Sequence, residues 1–176
     1  IVTVSGSAVA EPKDLEARIG TPVEKLFDAC GGFKEAPNKL LAGGPMMGVA
    51  QFSLDVPVLK GTNAFLAFCG EEDKRVADPQ CIRCGKCIAA CPMHLLPMYM
   101  NVYGKQDDLD NSVECGMMDC IECGSCAYVC PARIPLVAQF RLTKGKIQAK
   151  RAADKAKADA EKARAEAEKA AADEKK

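Results

Sequence analysis

The sequence predicts an α+β protein in three parts. These are a compact α+β unit over residues 1–70, an α-helical, cysteine-rich unit over 71–148, and a charged tail over 149–176 that is helical or disordered. Three observations carry this division. Apolar and β-branched runs, separated by turns that bear Gly and Pro, surround a single helix signal in the first part. Nine of the 11 cysteines fall between residues 78 and 135. From Ala149 to Lys176 the chain contains only Ala, Lys, Arg, Asp and Glu.

In the first part, Ile1-Val2-Thr3-Val4 suits a strand, and Ser5-Gly6 after it is turn chemistry. A short helix follows Gly20, with Thr21 as N-cap, Pro22 at the first helical position and Glu24 placed to reach back. Its apolar face is Val23, Leu26, Phe27 and Cys30, and Gly31-Gly32 closes it. Lys39 to Ala42, Val56 to Leu59 and Ala64 to Cys69 are further strand candidates. Gly43-Gly44-Pro45-Met46-Met47-Gly48 reads as a turn, because it lacks both the Lys-Ser/Thr of a P-loop and the three-glycine dinucleotide spacing. So small a module is expected to lean on its neighbours for stability.

Between the cysteine clusters, Pro92 to Asp119 is rich in Met, Leu and Asp, with Val102 and Val113 its only β-branched residues. That composition favours two short helices, with Gly104 marking the turn. From Leu136 onward the chain reads as one long helix, with Pro135 in its first turn. In the tail, Asp154 with Lys157, Asp159 with Lys162, Glu161 with Arg164 and Glu166 with Lys169 stand at i,i+3 spacing. No large apolar residue follows Ile147, so this stretch is expected to be a solvated extension and not a membrane-surface helix.

Composition excludes several classes. Basic and acidic residues balance at 24 each. The tail holds nine and seven of them, which leaves fifteen and seventeen for the body, so neither part has the basic excess of a nucleic-acid binder. The longest apolar run, Ala64 to Cys69, is too short to cross a bilayer. An odd number of tightly clustered cysteines argues against a secreted disulfide scaffold and for metal ligation in a reducing compartment, the cytoplasm being expected. The chain opens without Met and already in β-branched residues, as a piece of a longer polypeptide would.

The chemistry lies in a repeat. Cys81, Cys84, Cys87 and Cys91-Pro92 follow the spacing Cys-two-Cys-two-Cys-three-Cys-Pro, and Cys120, Cys123, Cys126 and Cys130-Pro131 follow it again. This is the bacterial two-cluster ferredoxin run. Two intervening residues let the chain wrap one face of an iron-sulfur cube, so that three successive thiolates meet three irons. The fourth iron takes the last Cys of the other run. Cys81, Cys84, Cys87 and Cys130 are therefore assigned to one [4Fe-4S] cluster, and Cys120, Cys123, Cys126 and Cys91 to the second. Structural zinc is disfavoured because its ligands come two plus two, which leaves a third Cys at the next two-residue step without a place. Disulfides would need cysteines spread across loops. Two oxidised clusters with their thiolates would make the loaded chain about four units more negative than its formal charge.

The remaining candidates have ordinary readings. Arg83, Lys86 and Arg133 lie in or beside the runs, where a positive charge would favour a reduced cluster, although solvated surface charges explain them equally well. Backbone N–H groups near Gly85 and Gly124 could donate to cluster sulfurs. Cys30 and Cys69 are expected as small core residues, Cys115 is the one spare ligand candidate, and His94 is expected at the surface. Met93, Met98, Met100, Met117 and Met118 are expected to pack and not to bind.

With these residues in view, the chain resembles the RnfC family, the peripheral C subunits of the Rnf/Rsx ion-translocating electron-transport complex of bacteria. The resemblance rests on Val4-Ser5-Gly6-Ser7-Ala8-Val9, Ile19-Gly20-Thr21-Pro22, Ala29-Cys30-Gly31-Gly32, Gly43 to Gly48 and Lys60-Gly61-Thr62-Asn63, together with the two Cys runs and the Ala/Lys/Glu-rich tail. It implies a soluble-ligand-binding β-grasp (SLBB) module over 1–70 and a dicluster ferredoxin domain over 71–148. It also implies an electron relay, without acid-base or nucleophilic catalysis, at the cytoplasmic face of the inner membrane. The expected partners are the other subunits of that complex, in particular its ferredoxin-like B subunit, with no nucleic acid and no membrane span. In the family FMN and NADH bind an upstream Rossmann-like domain, so no nucleotide-binding residue is assigned here. The alternatives are an iron-sulfur subunit of another flavin-linked oxidoreductase, which would not share the features of residues 1–70, and a non-redox docking module whose clusters only hold the fold.

Overall fold

The computed structural model of the chain describes residues 1–70 and 79–173, with side chains as far as Lys162. It forms two compact units, Ile1–Ile82 with Cys123–Ile134, and Arg83–Glu122 with Pro135–Lys176.

In the first unit five strands, β1 (Val2–Ser5), β2 (Lys13–Leu15), β3 (Lys39–Ala42), β4 (Val49–Gln51) and β5 (Ala64–Phe68), form one sheet in the order β2-β1-β5-β3-β4. β1 and β5 run parallel at the centre, and the other pairs are antiparallel. Helix α1 (Val23–Ala29) lies in sequence between the β1–β2 and β3–β4 hairpins, which is the β-grasp arrangement. Strand alternation sets the core. Val2 and Val4 of β1 and Phe65 and Ala67 of β5 point inward and meet Val23, Leu26, Phe27 and Cys30 of the helix and its cap. Outward-facing Thr3 instead hydrogen-bonds Asp14 on β2, its hydroxyl donating at 2.7 Å. At the end of β1 the chain passes so close to β5 that a Cβ on Gly6 would overlap the Ala67 carbonyl, and Gly6 has φ +121°.

The strands foreseen at 1–4, 39–42 and 64–69 form as Val2–Ser5, Lys39–Ala42 and Ala64–Phe68. Val56 to Leu59 does not join the sheet. Its backbone brackets the entry to α1, with Val23 N–H donating to Val56 O (3.0 Å) and Val58 N–H to Thr21 O (2.8 Å). A proline at 57 has no N–H with which to continue a ladder. The same pairing holds Pro22 extended (φ −59°, ψ 138°), so Pro22 takes the N-cap place expected of Thr21, and no side chain caps the helix. Gly43 to Gly48 is the turn between β3 and β4, as expected.

In the second unit Pro92 to Asp119 forms two α-helices, α3 (Pro97–Lys105) and α4 (Leu109–Glu114), followed by a 3-10 turn over Met117–Asp119; α4 is capped by Asp108 accepting from Asn111 N–H at 3.1 Å. The turn falls at Gln106–Asp108, where Asp107 has φ +56°, and not at Gly104. Gly104 stays helical because α3 meets the long C-terminal helix there: a Cβ on it would lie 2.6 Å from Thr143 Oγ1. That long helix (Leu136–Asp173) buries Leu136, Val137, Phe140, Thr143 and Ile147, a stripe at helical spacing, and exposes every side chain from Gln148 to Lys162. The expected pairs Asp154–Lys157 and Asp159–Lys162 do not close; Lys150 pairs with Asp110 across helices at 2.8 Å. Exposed long side chains gain too little from one fixed geometry to hold it. Glu161–Arg164 and Glu166–Lys169 involve side chains outside the described residues.

Phe27, 2% exposed, packs against Phe33 in a tilted arrangement with ring centroids 4.8 Å apart. Phe27→Ala should cost about 3–5 kcal/mol, read as a fall in the urea midpoint of the full chain. A loss below about 1 kcal/mol would show that this core does not rest on α1.

Candidate metal centre

The two Cys runs have the same backbone, displaced by the interval from Cys81 to Cys120. Left-handed conformations recur at matching places: Arg83 (φ 54°) and Glu122 (56°), Gly85 (75°) and Gly124 (87°), His94 (53°) and Arg133 (54°). After each glycine comes a four-residue helix, α2 (Lys86–Ala89) in the first run and α5 (Ser125–Tyr128) in the second. The hydrogen bonds repeat too. Ile88 and Ala127 N–H donate to the Gly85 and Gly124 carbonyls, both at 3.0 Å. Cys91 and Cys130 N–H donate to Ile88 and Ala127 (3.1 and 3.3 Å), and His94 and Arg133 N–H to Cys91 and Cys130 (3.1 and 3.0 Å). A left-handed residue costs a non-glycine side chain about 1–2 kcal/mol, so the same departures at the same places in two runs mark a shape that the cysteines require.

That shape suits a cube. A left-handed residue between the first and second Cys, and another after the second, bends the chain around the inside of the loop. No disulfide joins any of the cysteines. Among the described residues no three His, Cys, Asp or Glu side chains converge on a single metal ion; thiolates that serve different irons of a cluster have no need to. Cys81 and Cys84 are exposed, Cys126 is buried, and Cys87, Cys91, Cys120, Cys123 and Cys130 are half-buried. The first unit contains Cys81, Cys123, Cys126 and Cys130, and the second contains Cys84, Cys87, Cys91 and Cys120.

Donors already face several sulfurs. Leu95 N–H donates to Cys91 Sγ and Glu122 N–H to Cys120 Sγ, each at 3.4 Å. Ser125 Oγ lies 3.5 Å from Cys123 Sγ, and the Ser125 hydroxyl and N–H hold the Cys123 thiol below its usual range. Burial pushes the Cys120 thiol up, against the opposing pull of Glu122 N–H and the Lys144 ammonium.

Two supports of the second run were not foreseen. Lys144 and Arg141 on the long helix clasp Glu122, at 2.9 Å to Oε1 and 2.7 Å to Oε2 respectively, and Lys144 also donates to the Cys120 carbonyl at 2.6 Å. Burial pushes the Glu122 carboxyl up, but the two cations outweigh it and hold it below the carboxylate range. The other support is the β3–β4 turn, which lies so close that a Cβ on Gly124 would fall 2.6 Å from the Met46 carbonyl oxygen. Both join residues far apart in sequence. The one local clue was a pair of cations three apart on the helix that follows the run.

Of the other candidates, Cys30 is wholly buried in the core and Cys69 half-buried against it. Cys115 ends α4, half-buried. His94, Arg83, Lys86 and Arg133 are exposed.

Residues 1–50 match the SLBB domain family and residues 80–134 the 4Fe-4S dicluster domain family. The chain is 46% identical over 150 residues to the C subunit of the Na(+)-translocating ferredoxin:NAD(+) oxidoreductase complex of Acetobacterium woodii, covering 85% of this chain and 34% of that protein. It is 47% identical over 151 residues to the C subunit of the ion-translocating oxidoreductase complex of Rhodobacter capsulatus (86% and 29%). A third relative, the C subunit of the proton-translocating ferredoxin:NAD(+) oxidoreductase complex of Clostridium ljungdahlii, is 44% identical over 156 residues (88% and 34%). The chain thus spans about a third of the length of these relatives. The dicluster match makes two [4Fe-4S] clusters its cofactors.

The two matching glycines separate strain from contact. Gly85→Ala meets nothing within 4 Å and should cost only the left-handed strain, about 1–2 kcal/mol. Gly124→Ala must also displace Met46, adding about 1–3 kcal/mol and lowering iron retention. Equal urea midpoints and equal iron contents would contradict the contact.

Proposed function

This chain belongs to the C-subunit family of ion-translocating oxidoreductase complexes, and on that premise we propose that it is the electron-relay part of such a subunit, passing single electrons through two [4Fe-4S] clusters. Cys81, Cys84, Cys87 and Cys130 hold one cluster; Cys120, Cys123, Cys126 and Cys91 hold the other. The observation that carries this reading is the doubled Cys run with its doubled left-handed backbone. The exchange of ligands between runs is the wiring that the doubled two-cluster ferredoxin spacing calls for. When bound, a cluster takes up and returns one electron, while the chain supplies the thiolates, donates N–H groups to sulfur and sets the surrounding charge.

The working division is an SLBB module over 1–70, a dicluster domain over 71–148 and a solvated tail over 149–176. NADH and flavin chemistry belongs to parts of the subunit outside the aligned third. No helix among the described residues is long and apolar enough to cross a membrane. In this reading the chain docks peripherally, on the cytoplasmic side, against other subunits of the complex, with the ferredoxin-like B subunit as its electron partner.

Reductive titration of the anaerobically reconstituted chain, followed by EPR, should show two centres reduced reversibly, each by one electron. Clusters that load but resist reduction across the ferredoxin range would mean a purely structural role. Cys91→Ala should damage the centre built on Cys120, Cys123 and Cys126 and spare the one beside it in sequence. Loss confined to the other centre would overturn the exchange of ligands.

A further inference from the structure

We infer that Lys144 is a positioning residue that raises the reduction potential of the cluster held by Cys120, with Glu122 and Arg141 as the clamp that fixes it there. The inference rests on the cluster reading above and concerns how its two centres are made unequal.

The geometry is specific. The Lys144 side chain is only 14% exposed, so its charge is held near the protein surface with reduced access to water. It donates to the carbonyl of Cys120 itself (2.6 Å) and to Glu122 Oε1 (2.9 Å). Arg141 Nε takes the other carboxylate oxygen at 2.7 Å. Glu122, left-handed between Cys120 and Cys123, donates its own N–H to Cys120 Sγ. One side chain from the loop and two from the helix therefore fix a cation against the backbone of a ligand. Among the described residues the first run shows no such device. Arg83 stands where Glu122 does, and Lys105, at the place matching Lys144, is exposed at the end of α3. With a cation in place of the acid there is nothing to draw Lys105 inward.

The physical consequence has a sign. Reduction adds one negative charge to a cluster. A fixed cation beside a ligand stabilises that charge and raises the potential, and a fixed carboxylate does the opposite. Of the two, the ammonium is tied directly to Cys120, through its carbonyl.

The test is an EPR-monitored redox titration of the iron-loaded full chain and three variants. Lys144→Met should lower the potential of the second centre by about tenfold in its one-electron equilibrium, or about 59 mV. Glu122→Gln should raise it, Lys144→Arg should stay near the parent value, and the first centre should not move in any of them. Unchanged potentials, or shifts of the same sign in Lys144→Met and Glu122→Gln, would overturn the inference. So would loss of second-centre iron in both of these, because the clamp would then be structural only. Failure of the parent chain to load iron would strike the cluster reading itself, which separates the two claims.

Discussion

Everything in the cysteine-rich part depends on one constraint: thiolates separated by only two residues must each reach a different iron. The backbone meets it by turning left-handed at Arg83, Gly85, Glu122, Gly124, His94 and Arg133. Four of these are not glycine, at about 1–2 kcal/mol each. Burial within the two short helices of the runs offsets little of that cost. Helix α2 buries no residue, and α5 buries only Cys126. Ligation must therefore supply the difference, which makes cluster binding and the folding of these loops one process. The β-grasp module is built the other way round, on an apolar core drawn from residues 2 to 67 that needs no cofactor.

The two runs share a fold but not a setting. Helix residues Arg141 and Lys144 hold the second run at Glu122, and the β3–β4 turn meets it at Gly124. At the matching places of the first run stand an exposed Arg83 and a Gly85 with open space around it. A duplicated motif thus acquires two different environments through what packs against it.

The sequence disclosed what is periodic or chemically marked. The central strands β1, β3 and β5 were legible because buried strands must be apolar, whereas β2 and β4 escaped notice because both are short edge strands, one of them Lys13-Asp14-Leu15. Val56 to Leu59 looked like a strand for its apolar side chains, but backbone donors decide pairing and Pro57 has none. Gly104 was read as a breaker when its small size serves a helix crossing. The cysteine spacing was visible because ligand geometry writes itself into local sequence. The Glu122 clamp and the Met46 contact were not, because each joins side chains brought together only by the folded chain.

The most direct test of the whole account is the iron and sulfide content of the chain reconstituted without oxygen, with Mössbauer spectra of the product. About eight irons per chain, all in cubane clusters, are expected. Four or fewer, or zinc bound in their place, would contradict it.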